Sequence, residues 1–518
     1  MNTNSIFDNR LRPAVEFVPA FFALSAATLL YLQPDWFLPI LKSFSTYVIV
    51  LMVVLGIFRF YQGTQILRYR SSLNQLPRYV LSAKQIPTYR KKLFLGKGFK
   101  WTQRHSQRLV EARSPLVQKY LQPGAFYQWA RQSELFFDCI FGLSWITSLT
   151  SSQSPLNPVR PLPEVGGNSY IHGVGLEDEK NVIMNLGERV GHSLILGTTR
   201  VGKTRFAEIL MTQDIHRGDT VIFIDPKGDF DVLARMVAEA KRAGRYDQFH
   251  VFHLGHPEIS ERYNGIGDFG RITEVAGRIS NQLPSEGNSA AFREFAWRFT
   301  NIVARALTGL GKKPSYELIA RYVTNIEPLM VDYYHLWLDQ DAPNNWQQLV
   351  QSIEGSEDLM KRVPIAMKSR GRHAVALLTY VKDHGLFDAV ADGLRSAIEY
   401  DKTYFDKLTA SLLPLMEKLT SGPVGQLLSP DYDDLNDHRP VLDWMNVIRE
   451  GGIVYVGLDA LSDADVASAV GNSMFADLTS IAGRLYKHGH TYGLPNSKEI
   501  SRPITIHADE FNELVGNE

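Results

Sequence analysis

The run His192–Leu196 is short and apolar, and Gly197-Thr198-Thr199-Arg200-Val201-Gly202-Lys203-Thr204 follows it at once. After Thr204 the spacing of Phe206, Ile209 and Leu210 is helical. Strand, G-x-x-x-x-G-K-T and helix in that order force a tight backbone turn between the end of a strand and the start of a helix, which is an α/β arrangement. The chemistry requires these residue types. Gly197 and Gly202 let the chain curl with its N–H groups pointing inward, toward a phosphate chain. The helix N-terminus adds partial positive charge. In such a loop the backbone of Gly197 to Thr204 cradles the phosphates, Lys203 reaches the β- and γ-phosphates, and the Thr204 hydroxyl ligates Mg²⁺. ATP and Mg²⁺ are therefore the expected cofactors.

A loop of this kind needs an acidic partner at the end of a neighbouring strand. TVIFIDPKGD offers Asp225, and PITIHADEF offers Asp509 and Glu510. The second fits better, because an adjacent acid pair supplies one carboxylate for the Mg²⁺ shell and one to activate water. Asp225, Lys227 and Asp229 lie where ligands of doubly wound sheets collect and can shape the site, or they form a plain strand-to-helix turn. Strands are expected at 218–225, 246–253 and 451–458. Between them, 270–420 reads as almost wholly helical. In 288–307, Phe292, Phe295, Phe299, Ile302, Val303 and Leu307 share one face at 3-4 spacing, with Asn288 or Ser289 as the cap, and this stripe reads as core.

Two apolar runs precede all of this, at residues 13–33 and 43–61, joined by a short turn. Each approaches the roughly 20 residues that cross a 30 Å hydrocarbon core. Neither has a polar face, which argues against buried core helices, and the pair is too long for a signal peptide. From Arg59 to Val110 the chain holds twelve Lys and Arg residues and no Asp or Glu. This bias predicts two transmembrane helices with both termini in the cytoplasm. The basic stretch also suits anionic lipid or nucleic acid, although topology alone accounts for it. Net charge is no guide, since 55 Lys and Arg balance 55 Asp and Glu. The single cysteine, Cys139, excludes an internal disulfide or a cysteine-based zinc site. Residues 135–149 are apolar but short, and read as a buried or interfacial helix. Residues 151–167, rich in Ser, Pro and Gly, read as a linker.

Together these features resemble the type IV coupling proteins of bacterial conjugation. LPRYVLSAKQIP at 76–87, NPVRPLPEVGG at 157–167, GERVGHSLILGTTRVGKTR at 187–205, EGNSAAFREFAWRF at 286–299 and SGPVGQLLSP at 421–430 look closest to the TraD coupling factors of integrative elements and degradative plasmids. The resemblance implies an ATPase of the bacterial inner membrane that assembles as a homo-hexamer. Such proteins deliver single-stranded DNA bound to its relaxase to the type IV secretion channel. It implies a transmembrane hairpin (1–61), a basic membrane-proximal segment (62–150), and a RecA-like P-loop ATPase domain in two parts (151–268 and 431–518). An all-α insertion (269–430) separates the two parts. By position Lys203 and Thr204 carry over as phosphate and Mg²⁺ ligands, Asp509 as the Mg²⁺-shell acid and Glu510 as the general base. Relatives continue through further strands after the acid pair, so the chain reads as cut at Glu518, with weakened hydrolysis and an open strand edge as the expected results. Two other readings are a nucleotide-switched membrane receptor for protein cargo and an FtsK-like DNA pump.

Overall fold

The computed structural model describes residues 13–33, 42–74, 79–115, 123–140, 142–154, 157–162, 169–198, 201–283, 289–399, 412–489 and 502–513. Helix predominates, with one parallel sheet and one antiparallel strand pair. The described residues form two compact units, Met1–Pro87 with Lys91–Val201, and Thr88–Arg90 with Gly202–Glu518.

In the first unit, helices α1 (Phe17–Leu32) and α2 (Lys42–Asn74) pack together. Phe17 meets Phe60 edge-on at 5.4 Å, and Leu24 lies over Gly56. These pairings run the helices antiparallel. The buried face of α1 is made of Ala20, Ala23 and Ala27 beside Leu30, small side chains that let two backbones come close. Phe21, Phe22, Tyr47, Val50, Leu51 and Ile57 point outward. The stretch Phe44–Arg70 of α2 is long and apolar enough to cross a membrane, and α1 is a shorter apolar helix. Arg108, one of the twelve basic residues, is a structural group rather than an exposed one. It is buried over the Tyr69 ring and donates to the Val174 carbonyl at 3.0 Å.

Strands β1 (Lys92–Gly98) and β2 (Lys180–Asn185) pair antiparallel, with a bulge near Gly96. One expectation is narrowed in this unit and another fails. Residues 135–149 fall on two helices, Ala125–Asp138 and Ser144–Thr150. The chain breaks at Gly142, whose φ of 93° suits a residue without Cβ. Leu135, Phe136, Trp145 and Leu149 on them are exposed, so of the buried and interfacial readings only the interfacial one is left. The strand expected over His192–Leu196 does not form, and Leu194 and Leu196 are 85% and 83% exposed. A strand exists only through a ladder to a neighbour, and this run has no ladder partner among the described residues.

The second unit holds the parallel sheet, in the order β4 (Phe249–His253), β5 (Ile453–Gly457), β3 (Thr220–Asp225), β6 (Ile504–Ala508). All three pairings are parallel. The strands expected within 218–225, 246–253 and 451–458, and the one before the acid pair, are therefore present. Every residue of β3 and β5 is buried, because both faces are covered, and this is why they read as continuous apolar runs. On one face, Val221, Phe223, Ile453 and Tyr455 pack against Met211 and Ile215 of α3 (Lys203–Arg217) and Val232 and Met236 of α4 (Phe230–Arg242). On the other, Ile222, Ile224, Val454 and Val456 join the core of the helical stretch. That core is built on α5 (Thr273–Ser280), α6 (Ser289–Gly309) and the helices after them, and on α7 (Ala464–His488), which returns the chain to β6. In α6, Phe299, Val303 and Leu307 are buried, as their spacing predicts. Sheet face and helices thus share one continuous core.

Leu307→Ala at the centre of that core is expected to cost about 2–5 kcal/mol. Denaturant unfolding of the protein in detergent should show the helical stretch and the sheet melting in one transition. Separate transitions would contradict a shared core.

Candidate functional site

The C-terminal ends of β3 and β6 and the first turn of α3 meet in the second unit. Gly202 precedes the helix with φ at 96°, a conformation that costs glycine little. Lys203 and Thr204 then open a 15-residue helix whose first N–H groups lack intrahelical partners. The Thr204 hydroxyl donates to Asp509 Oδ2 at 2.8 Å, across 305 residues of sequence. Asp509 follows β6 directly, and its N–H donates to the Ile224 carbonyl at 3.1 Å, continuing the ladder with β3. The next residue, Glu510, has φ at 41°. A glutamate held there carries roughly 1–3 kcal/mol of backbone strain, and such residues cluster at functional sites. Its own N–H donates to Asp509 Oδ1 at 3.0 Å.

Lys227 forms an ion pair with Glu510, and its Nζ lies 3.7 Å from Glu513. The Lys227 ammonium holds Glu510 below the usual carboxylate range, with help from the charge of Lys203. Glu513 is pushed up, by burial first and by Glu510 second. The ammonium of Lys227 is raised in turn by its bond to Glu510.

Asp225 has a different place. Its Oδ1 accepts the Lys227 N–H at 3.0 Å and its Oδ2 the Asp229 N–H at 2.7 Å. The buried Tyr455 hydroxyl donates to Oδ2 at 3.0 Å. Burial, and then the Asp225 charge, raise that phenol well above its ordinary range. Asp229 caps α4 through the Asp231 N–H at 2.8 Å. Asp225 and Asp229 therefore shape the turn that carries Lys227.

Of the residues singled out in the sequence, Lys203, Thr204, Lys227, Asp509 and Glu510 come together. Gly197 and Thr198 lie in an exposed, irregular stretch of the first unit, as does Val201 at its end. Thr199 and Arg200 lie outside the described residues. Sequence reasoning missed the support beneath the site. His507 Nε2 is 2.9 Å from Asp214 Oδ2, tying β6 to α3 two residues before Asp509, and the His507 ring stacks on Phe223 at 5.9 Å. No local signal marks a partnership spanning 293 residues.

A hydroxyl and a carboxylate side by side at a helix N-terminus suit Mg²⁺, which keeps several waters and takes one or two protein oxygens beside phosphate oxygens. Thr204 and Asp509 would hold it. Among the described residues no group of three or more His, Cys, Asp or Glu is placed to hold a metal alone, and a Mg²⁺ held by these two oxygens would take its other ligands from water or phosphate. Compared with known proteins, the chain matches no protein-family model, and no curated protein matches it in sequence.

The two candidate acids should differ in stability. Asp225→Ala strands two part-buried N–H groups and a buried phenol, an expected loss of roughly 1–3 kcal/mol. Asp509→Ala removes the Thr204 hydroxyl bond and the acceptor of the Glu510 N–H at a part-buried position, leaves no buried phenol unpaired, and should cost less, about 0.5–1.5 kcal/mol. Unfolding midpoints of the two variants check the order.

Proposed function

We propose that the protein is a membrane-anchored ATPase of the type IV coupling kind. In this reading it is held in the bacterial inner membrane by α1 and α2, with both termini in the cytoplasm. It passes relaxase-bound single-stranded DNA toward a type IV secretion channel, working as a homo-hexamer. The RecA-like P-loop domain is the motor, and the all-α insertion receives the cargo. One observation carries the reading: the Thr204 hydroxyl and the Asp509 carboxylate meet at 2.8 Å. That contact is what a shared Mg²⁺ shell asks of a strand-end acid and the residue after a P-loop lysine. The apolar, outward-facing hairpin supports the anchor.

The residues divide the work as follows. Lys203 neutralises phosphate charge and orients the chain of phosphates. Thr204 and Asp509 position the metal, which when bound screens the charge that develops on the phosphates. Glu510 accepts the proton of the attacking water. Lys227 holds Glu510 in an ion pair, so the base must leave Lys227 before it can take a proton.

The protein, purified with its membrane segment, should hydrolyse ATP faster with single-stranded DNA, and Lys203→Ala should abolish this. Hydrolysis indifferent to DNA would sink the motor and favour a receptor for protein cargo. Glu510→Gln should keep nucleotide binding while hydrolysis drops by roughly 10²–10⁴-fold.

A pH profile reads the restraint. Lys227 lowers the Glu510 pKa, so the base form persists to lower pH than an ordinary carboxylate allows. Lys227→Ala should shift the acid limb to higher pH and raise DNA-independent turnover. An unmoved limb would separate Glu510 from the rate.

A further inference from the structure

The opposite end of the same sheet has a cavity of its own. Arg217, Gly218 and Asp219 run into the first residue of β3, Arg502 and Pro503 into β6, and Arg245 and Gln248 flank the start of β4. These residues line an open cavity of about 350 Å³, within the range of small-ligand pockets. Strands of five and six residues put roughly 15–20 Å between it and the acids at their other ends.

Three guanidinium groups line this space. Arg217 is 8% exposed and pairs with Asp214 and Asp219 through Nη2. Its Nη1 is buried and has no hydrogen-bond partner among the described residues. Arg245 donates to the carbonyls of Ile215 at 2.6 Å, Asp219 at 2.9 Å and Gly451. Among the described residues it has no ion pair with a carboxylate. Arg502 is exposed and donates to the Glu450 carbonyl at 3.1 Å. It lies against bare Gly451, where a Cβ would sit 2.1 Å from its Nη1. Burial, and after it the charge of Arg502, lower the Arg245 pKa, and the charges of Asp219 and Asp247 offset this only in part.

We infer that this end of the sheet is a second phosphate-binding site, with Arg217, Arg245 and Arg502 as its cationic wall. A phosphate presents several acceptor oxygens to guanidinium groups, which match it bidentately. It would bind the exposed Arg502 fork and offset the repulsion between Arg245 and Arg502. The phosphate is either free or part of a nucleic-acid backbone, and the test separates these. The inference does not rest on the nucleotide reading above.

The full chain in detergent, carrying Lys203→Ala to weaken the other phosphate site, is titrated with inorganic pyrophosphate and with an oligo(dT) strand over a salt series. Because Arg502 is exposed, Arg502→Gln should leave folding intact, and Arg502→Lys keeps the charge but not the fork. If the site takes free phosphate, Arg502→Gln weakens pyrophosphate at least tenfold, with Arg502→Lys between it and the parent. If it takes backbone phosphate, Arg502→Gln weakens oligo(dT) and flattens the slope of log affinity against log salt by roughly 0.7. Unchanged affinity for both probes in Arg502→Gln overturns the proposal.

Discussion

Strand β3 is covered on both faces, and the rest of the second unit follows from that. Its alternate residues supply two different cores. Val221 and Phe223 face α3 and α4, while Ile222 and Ile224 face the helical stretch. A strand enclosed in this way cannot present polar groups along its length without leaving them unpaired. Its chemistry must therefore collect at its ends. At the C-terminal end lie Asp225 and, through β6, Asp509 and Glu510. At the N-terminal end lie Arg217 and Asp219, with Arg245 close by.

The two ends are not independent. Asp214 of α3 is fully buried and bonds to His507 on β6 and to Arg217 at the end of α3. Arg217 lines the cavity at one end, and His507 stands two residues before Asp509 at the other. A buried carboxylate must be paired to be tolerated, and here these two partners lie on elements that lead to the two ends of the sheet. α3 opens on Lys203 and Thr204 and closes on Arg217, so it is the rigid body that spans the distance.

The turn after β3 shows how one motif can divide its labour. In DPKGD, Asp225 looks like a second metal acid. Its two oxygens are already committed to backbone N–H groups and to Tyr455. What the turn delivers is Lys227, against Glu510. A carboxylate paired with an ammonium is less basic, and the positive φ at Glu510 shows that the backbone accepts strain to place it there.

Much of this was legible in the sequence because it is local. The continuous apolar runs of β3 and β5, the 3-4 stripe of α6, the apolar hairpin and the helix that opens at Lys203 each depend on the periodicity of neighbouring residues. The preference for Asp509 over Asp225 as the partner of Thr204 was also readable, from an acid pair at a strand end. The strand expected over His192–Leu196 was not, since strand character belongs to a ladder and not to a run of Leu and Ile. Nor was the partnership of Tyr455 with Asp225, of His507 with Asp214, or the wall of Arg217, Arg245 and Arg502. Sequence alone determined which segments are helices and strands and which residues can do chemistry, because periodicity and residue type are properties of adjacent positions. Tertiary structure alone decided what holds Asp225, which lysine pairs with Glu510 and where the arginines gather, because those depend on packing that joins residues hundreds of positions apart.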